Sequence, residues 1–224
     1  MVPARTSSHA GRTRLLLVRH GETDANKNLV FQGQRGHGLN ALGRDQAARL
    51  GARLAGASAR PSFLYASDLA RAQETAGILG GALGLEPVLD PDLREVNLGA
   101  WEELSYEEVV ARFPDEWAAW RAGHDVRRGG GETYAELGAR LTLALERIAG
   151  AHPGATTLVV SHGSALKAFV GRALGVGAEG LRVFRVQANT AVSVVERDDD
   201  GRFRLVVWND AAHLGDAVLE ALGG

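Results

Sequence analysis

The sequence predicts an α/β fold, a three-layer αβα sandwich built around a mixed, mostly parallel sheet. Three observations carry that reading. Short apolar runs alternate with stretches whose apolar residues recur at helical spacing. Two of the runs, Leu15-Leu16-Leu17-Val18 and Leu158-Val159-Val160, are continuous rather than alternating, as strands covered on both faces are. A late pair of apolar segments joined by Asp198-Asp199-Asp200-Gly201 reads as an antiparallel hairpin, which makes the sheet mixed.

Each element follows in order. The first strand ends in Arg19-His20-Gly21, and residues 21–40 form a loop rich in Gly, Asn and Gln. Asn40 is placed to cap a helix with Leu42, Ala47, Leu50 and Leu54 on one side. Phe63 to Ala66 is a short strand. Ser67-Asp68 then caps a helix whose stripe of Leu69, Ala72, Ala76, Leu79 and Leu83 faces the core, leaving Arg71 off the stripe. Glu86 to Leu89 is another short strand, and Glu95 is read as closing that segment. Residues 100–128 read as an insertion of short helices carrying Trp101, Phe113, Trp117 and Trp120. Those rings either wall the substrate's leaving group or form a small local core. Thr133 and Glu136 have capping-box spacing ahead of Tyr134, Leu137, Leu141, Leu145 and Ile148. A strand over 156–161 precedes a helix with Leu166, Phe169, Val170, Ala173 and Leu174 inward. The hairpin strands run from Ala191 to Glu196 and from Phe203 to Trp208. The expected organisation is a flexible arm over residues 1–12 and one domain over 13–224, with a helical lid at about 100–129.

Composition narrows the function classes. With 45% hydrophobic and 23% charged residues, the bulk of the chain is not a disordered one. A net charge of −2 argues against a nucleic-acid or membrane-surface partner, so any anion site must be a local concentration of cations. Cysteine is absent, which removes disulfides, thiolate metal sites and Cys nucleophiles. The residues ahead of the first strand lack the pattern of a signal peptide and no run approaches a membrane span, so the expectation is a cytoplasmic protein. A homodimer is left open.

The chemistry concentrates at strand ends. The run over 158–160 leads into Ser161-His162-Gly163, so two strands each exit into His-Gly, with Arg71 and Glu95 between them in sequence. Open α/β sheets bind ligands outside the carboxyl ends of their strands. Guanidinium groups match phosphate oxygens with a planar fork, and a glycine after each histidine lets backbone approach an anion. The second His-Gly opens a helix, whose first N–H groups favour negative charge. A neutral His can attack phosphorus, nearby guanidinium charge keeps it neutral, and a carboxyl group such as Glu95 can protonate the leaving alkoxide. His9, His37, His124, His152 and His213 lack such flanks and read as structural or solvated. Asp198 to Asp200 lacks the spaced ligands of a calcium loop, and Gly129-Gly130-Gly131 lacks the Lys-Ser or Lys-Thr of a P-loop.

The order of motifs resembles the histidine phosphatase superfamily, the phosphoglycerate-mutase-like proteins, from about residue 13 to 210. The resemblance rests on Leu17-Val18-Arg19-His20-Gly21-Glu22-Thr23 with Asn26, Gln32-Gly33, and Leu42-Gly43 with Gln46-Ala47. It continues in Ser67-Asp68-Leu69-Ala70-Arg71-Ala72 with Glu74-Thr75-Ala76, Leu93-Arg94-Glu95 with Gly99, Gly130-Gly131-Glu132, and Val160-Ser161-His162-Gly163. It implies that His20 is the phosphorylated nucleophile and Glu95 the proton donor and acceptor, with Arg19, Arg71 and His162 completing the phosphate pocket. Asn26, Thr23, Gln32, Gly33 and the Gly163 backbone are implied as supporting phosphate or substrate contacts. No metal and no cofactor are implied.

Two departures bear on function. Gly36-His37-Gly38-Leu39-Asn40 stands where the family often has Asp, then Pro, Leu and Thr, so a looser loop is expected there. Glu95-Val96-Asn97-Leu98-Gly99 lacks the His-Tyr-Gly run of cofactor-dependent mutases, and the following insertion is shorter than theirs. The final Trp208-Asn209-Asp210-Ala211-Ala212-His213 is similar to phosphatases that act on phosphoglycerate esters and other phosphosugars. The resulting expectation is a metal-independent phosphomonoesterase acting on a small phosphorylated metabolite through a phosphohistidine. The alternatives are a cofactor-dependent mutase-type phosphoryl transferase and a non-catalytic phosphate-binding protein.

Overall fold

A computed structural model of the chain describes residues 12–183 and 185–215. Residues 1–11, with His9 and nearly all of the expected arm, lie outside them. Six strands form one mixed sheet: β1 (Thr13–Arg19), β2 (Phe63–Ala66), β3 (Pro87–Leu89), β4 (Thr156–Ser161), β5 (Val192–Arg197) and β6 (Phe203–Asp210), in the spatial order β3-β2-β4-β1-β5-β6. The first four run parallel, and β5 is antiparallel to both β1 and β6.

Helices cover both faces because the central strands are apolar on both. Leu15 and Leu17 of β1 and Val159 of β4 pack under α6 (Tyr134–Ala151) and α7 (Gly163–Ala173). On the other face, Val18, Leu158 and Val160 pack under α2 (Ala41–Ala55) and α3 (Ala70–Leu83). The connections that leave β1 and β4 therefore go to opposite faces, opening a crevice at the carboxyl ends of these two neighbours.

Local chemistry sets the helix starts. Asn40 Oδ1 accepts the Gly43 N–H at 2.8 Å, and Thr133 with Glu136 forms the capping box expected at α6. The 21–40 segment also holds one helical turn, α1 (Asp24–Lys27), capped by Thr23 through a box with Asn26. The loop expected to be looser is tied down at its end: the Leu39 N–H donates to Glu74 Oε2 at 2.7 Å, and Arg44 Nη1 donates to the Leu39 carbonyl at 2.6 Å.

Some expected details shift. Leu42, Ala173 and Leu174 are exposed: Leu42 lies off the buried face of α2, and Ala173 and Leu174 sit at the C-terminal end of α7, past the part that packs. The N-cap of α3 is Leu69, without a side-chain bond; Ser67 Oγ accepts the Leu69 N–H at 3.3 Å and turns to the site described below. Glu95 does not close a strand: β3 ends at Leu89, and a single turn over Pro91–Leu93 intervenes.

The 100–129 segment supplies α4 (Tyr106–Arg112) and α5 (Pro114–Ala122), with Trp101 fully buried beneath them. Phe31 lies among the rings of Trp101, Tyr106, Trp117 and Trp120, with centroids 4.4 to 6.4 Å away. Trp101 is thus a core residue joining these helices to the main body. Trp101→Ala is expected to cost about 3–5 kcal/mol, as large-to-small core changes do, and to lower the melting temperature without favouring one substrate over another. Thermal denaturation with a substrate panel checks this, and a selective kinetic loss at unchanged stability would contradict it.

Candidate active site

The sheet brings the two strand ends together. Arg19 is in register with Ser161, and the His20 N–H donates to the Ser161 carbonyl at 3.0 Å, so His20 and His162 stand side by side. Their ring centroids are 5.2 Å apart, close to the spacing of neighbouring strands. Both side chains are buried.

His20 Nδ1 lies 2.7 Å from the Gly21 carbonyl oxygen. A carbonyl only accepts, so the imidazole proton is assigned to Nδ1 and the Nε2 lone pair is left facing the site. Arg71 Nε donates to that Nε2 at 3.2 Å. The sequence pattern left Arg71 off the core stripe of α3, yet only 2% of it is exposed. The 21–40 segment folds over it, and Nη1 and Nη2 donate to the carbonyls of Arg35 and Gly33 at 2.7 Å each. Gly33 has a φ of +53°, which aims its carbonyl this way at little steric cost.

Arg19 is mostly buried. Its Nη1 donates to the Gln187 carbonyl at 2.6 Å, while its buried Nε has no hydrogen-bond partner among the described residues. That Nε lies against Gly163, where even a Cβ would crowd both it and Val186. His162 Nε2 meets Ser67 Oγ at 2.8 Å, and its buried Nδ1 has no partner among the described residues.

Glu95 corrects one expectation. The first N–H groups of α7, expected to face an incoming anion, are largely taken by this carboxylate. Oε2 accepts from Ser164 at 3.0 Å, and Oε1 from Ala165 at 2.9 Å and Val96 at 2.8 Å. The Glu95 charge also acts on both Arg19 and Arg71.

The supporting residues form a second layer. Thr23 Oγ1 lies 3.1 Å from both Asn26 Oδ1 and Gln32 Oε1 and serves chiefly to order this loop. Residues the sequence reading did not single out complete it. Asn189 Nδ2 donates to the His20 carbonyl at 2.9 Å and reaches Asn26 Oδ1 at 3.4 Å. Thr75 Oγ1 accepts the Gly21 N–H at 3.0 Å. Tyr106, stacked on Phe31, lies close enough to act on the Arg19 charge. Thr75 belongs to the motif that follows Arg71 but was given no role there, and Asn189 and Tyr106 carry no local sequence signal, because their roles depend on distant chain segments.

Burial followed by the Arg71 and Arg19 charges holds the His20 imidazole well below the usual histidine range, with the Gly21 carbonyl opposing. Burial and Arg71 depress His162 in the same way. Burial also lowers Arg71 to about 10, so it stays cationic at neutral pH. The arrangement thus combines neutral imidazoles with fixed positive charge, suited to receiving an anion. It also makes stability pH-dependent. Between the depressed native values and the unfolded 6.5, the unfolded chain binds more protons. Stability is therefore full above 6.5 and falls on acidification, by up to about 1.4 kcal/mol per pH unit for each histidine. Urea midpoints measured across that range should show the decline, and His20→Asn should flatten it. Equal slopes in both proteins would rule out the assignment to His20.

Fold and site together place paired strand-end histidines and fixed guanidinium charge in the crevice of an α/β sheet, an arrangement suited to a phosphate group. The chain belongs to the histidine phosphatase superfamily (branch 1), whose family profile matches residues 15–211, and it is a phosphatase of that superfamily. It is 37% identical over 204 residues to the phosphoglycerate mutase-like protein 4 of Arabidopsis thaliana, covering 89% of this chain and 86% of that one. It is 34% identical to an Arabidopsis thaliana metal-independent phosphoserine phosphatase, over 90% and 83% of the two chains. Among solved structures, a mycobacterial glucosyl-3-phosphoglycerate phosphatase complexed with VO3 superposes with a TM-score of 0.80 at 30% identity, over 88% and 99% of the two chains. Mycobacterium tuberculosis relatives 34% identical to this chain are longer, and it spans 58% of their length. Among the described residues no helix is long and apolar enough to cross a membrane.

Proposed function

We propose that the chain is a metal-independent phosphomonoesterase that hydrolyses a small phosphosugar or phosphoglycerate-type ester through a phosphohistidine on His20. The observation that carries this reading is the buried His20 ring, with Nδ1 on the Gly21 carbonyl and Nε2 facing Arg71. Nε2 attacks phosphorus and the P–O bond to the leaving group breaks. The positive charge that develops on the ring is met by the Gly21 carbonyl. Arg19, Arg71 and an Nδ1–H on His162 hold the phosphoryl oxygens, and phosphate replaces part of the carbonyl contacts of the arginines. Glu95 takes the proton of the monoanionic ester and passes it to the leaving alkoxide, returning to its carboxylate form. In the second half a water attacks the phosphohistidine, its proton passes through Glu95 to the departing phosphate, and His20 is released neutral.

The helices over 106–122 act here as the lid over the leaving group, through Tyr106 and Trp120 rather than Trp101. Two kinds of support favour hydrolysis without a metal. The fixed guanidiniums provide the charge a metal would otherwise bring, and a relative carries metal independence in its name. The Glu95–Gly99 segment supports a phosphatase over a mutase. Turnover of p-nitrophenyl phosphate in excess EDTA tests the reading, together with competitive inhibition by vanadate and trapping of an acid-labile, base-stable phosphoenzyme. Activity abolished by chelation and restored by Mg²⁺ or Zn²⁺ would overturn it.

A further inference from the structure

The turn over residues 187–190 serves the phosphate pocket on one side. Besides the Gln187 carbonyl on Arg19 and the Asn189 amide on the His20 carbonyl, the Thr190 N–H donates to the Arg19 carbonyl at 2.9 Å. Arg19 and His20 are therefore both fixed by this one turn. Its shape is a strained one: Thr190 is fully buried with a φ of +59°, a left-handed conformation that β-branched residues avoid. Such a conformation persists only where the surroundings impose it.

Residues 208–213, a motif with no part in the chemistry assigned above, impose it from the other side. In the β5–β6 ladder Ser193 stands opposite both Trp208 and Asn209, a bulge that brings Asn209 against the turn. Asn209 has a φ of +61°, which asparagine tolerates better than most residues. Its Oδ1 accepts the Ala188 N–H at 2.7 Å. Its own N–H donates at 2.9 Å to Ser193 Oγ, which also receives the Gln187 side-chain amide.

His213 makes the second grip. Its Nε2 meets Thr190 Oγ1 at 2.8 Å, and the single proton of that hydroxyl goes to the Asn189 carbonyl at 2.7 Å, so Nε2 is the donor. Burial and then the Arg53 charge, opposed by Asp210, keep the imidazole below the usual histidine range and so neutral at pH 7. Asp210, between the two grips, accepts from Arg53 of α2 at 2.6 and 3.0 Å, which ties the segment to the helix layer.

We infer that Asn209 and His213 are positioning residues for the reaction: through the 187–190 turn they set where Arg19 and His20 stand against the phosphoryl group. The inference rests on the phosphatase reading above. Asn209→Gly tests it, because glycine keeps the left-handed backbone and removes only the acceptor, whereas Asn209→Asp keeps both. Well below the melting transition, Asn209→Gly is expected to lower kcat for p-nitrophenyl phosphate by about 10-fold with KM within about threefold, as displacement of reacting groups does. Vanadate, a mimic of the transition state, should bind more weakly by the same factor, and Asn209→Asp should restore most of both. His213→Ala should behave alike, rescued by His213→Gln, whose amide N–H can donate to Thr190. A residue that only stabilises the fold would lower the melting temperature and leave kcat and vanadate affinity unchanged. Wild-type kcat in a folded Asn209→Gly or His213→Ala protein overturns the assignment of that residue, as does a loss confined to KM or one that the conservative variant fails to restore. If neither truncated protein folds, the segment is part of the core and the proposal falls. Absence of p-nitrophenyl phosphate turnover in the wild type sinks the phosphatase reading itself, whereas wild-type turnover with unaltered variants sinks only the role of residues 208–213.

Discussion

His20→Ala is expected to lower turnover of p-nitrophenyl phosphate by on the order of 10³-fold or more, a barrier increase of about 4 kcal/mol. The reason is the ring's position. Nδ1 is committed to the Gly21 carbonyl and Nε2 is the one nitrogen aimed into the pocket beside Arg71. His162 cannot substitute, because its Nε2 is engaged with Ser67. Arg19 and Arg71 remain in the variant, so vanadate should still bind. Stopped-time assays with vanadate titration check both statements, and near-normal turnover would move the nucleophile elsewhere.

Arg71→Lys is the second large effect. The charge is kept, yet a single ammonium cannot reach His20, the Arg35 carbonyl and the Gly33 carbonyl in the geometry of the guanidinium. Turnover should fall by about 10² or more, comparable to losing a donor aimed at transition-state charge. Stability should fall by about 2 kcal/mol, because at least one buried carbonyl loses its charged donor. The two losses are separable: phosphate-ester turnover measured well below the melting transition reports the first, and urea denaturation the second. A variant with wild-type activity would show that charge alone is what the pocket requires.

Much of this was legible in the sequence. The β1 and β4 runs announced themselves because strands covered on both faces must be apolar throughout, and their exits placed His20 and His162 together before any geometry was known. The capping residues Asn40 and Thr133 were readable because a cap is decided within four residues. Arg71 was readable as a site residue only through resemblance, since its burial is caused by a loop nearly forty residues away. Asn189 and Gln187 were not legible at all, because one acts through its side-chain amide on the His20 carbonyl and the other through its own carbonyl on Arg19. The start of α7 was read correctly as a place for negative charge, but the charge seated there belongs to Glu95, a residue that must cross from another segment to reach it.

The order in which the pocket's parts occur along the chain has a consequence for biosynthesis. Arg19 is held by the Gln187 carbonyl, the His20 carbonyl by Asn189, and the free edge of β1 by β5. A nascent polypeptide still short of residue 187 would contain every acid, base and nucleophile assigned above, yet β1 would lack its β5 neighbour and Arg19 its anchor. Contacts between such distant positions form late and slowly. Completion of the pocket therefore waits on the docking of the β5–β6 hairpin against β1.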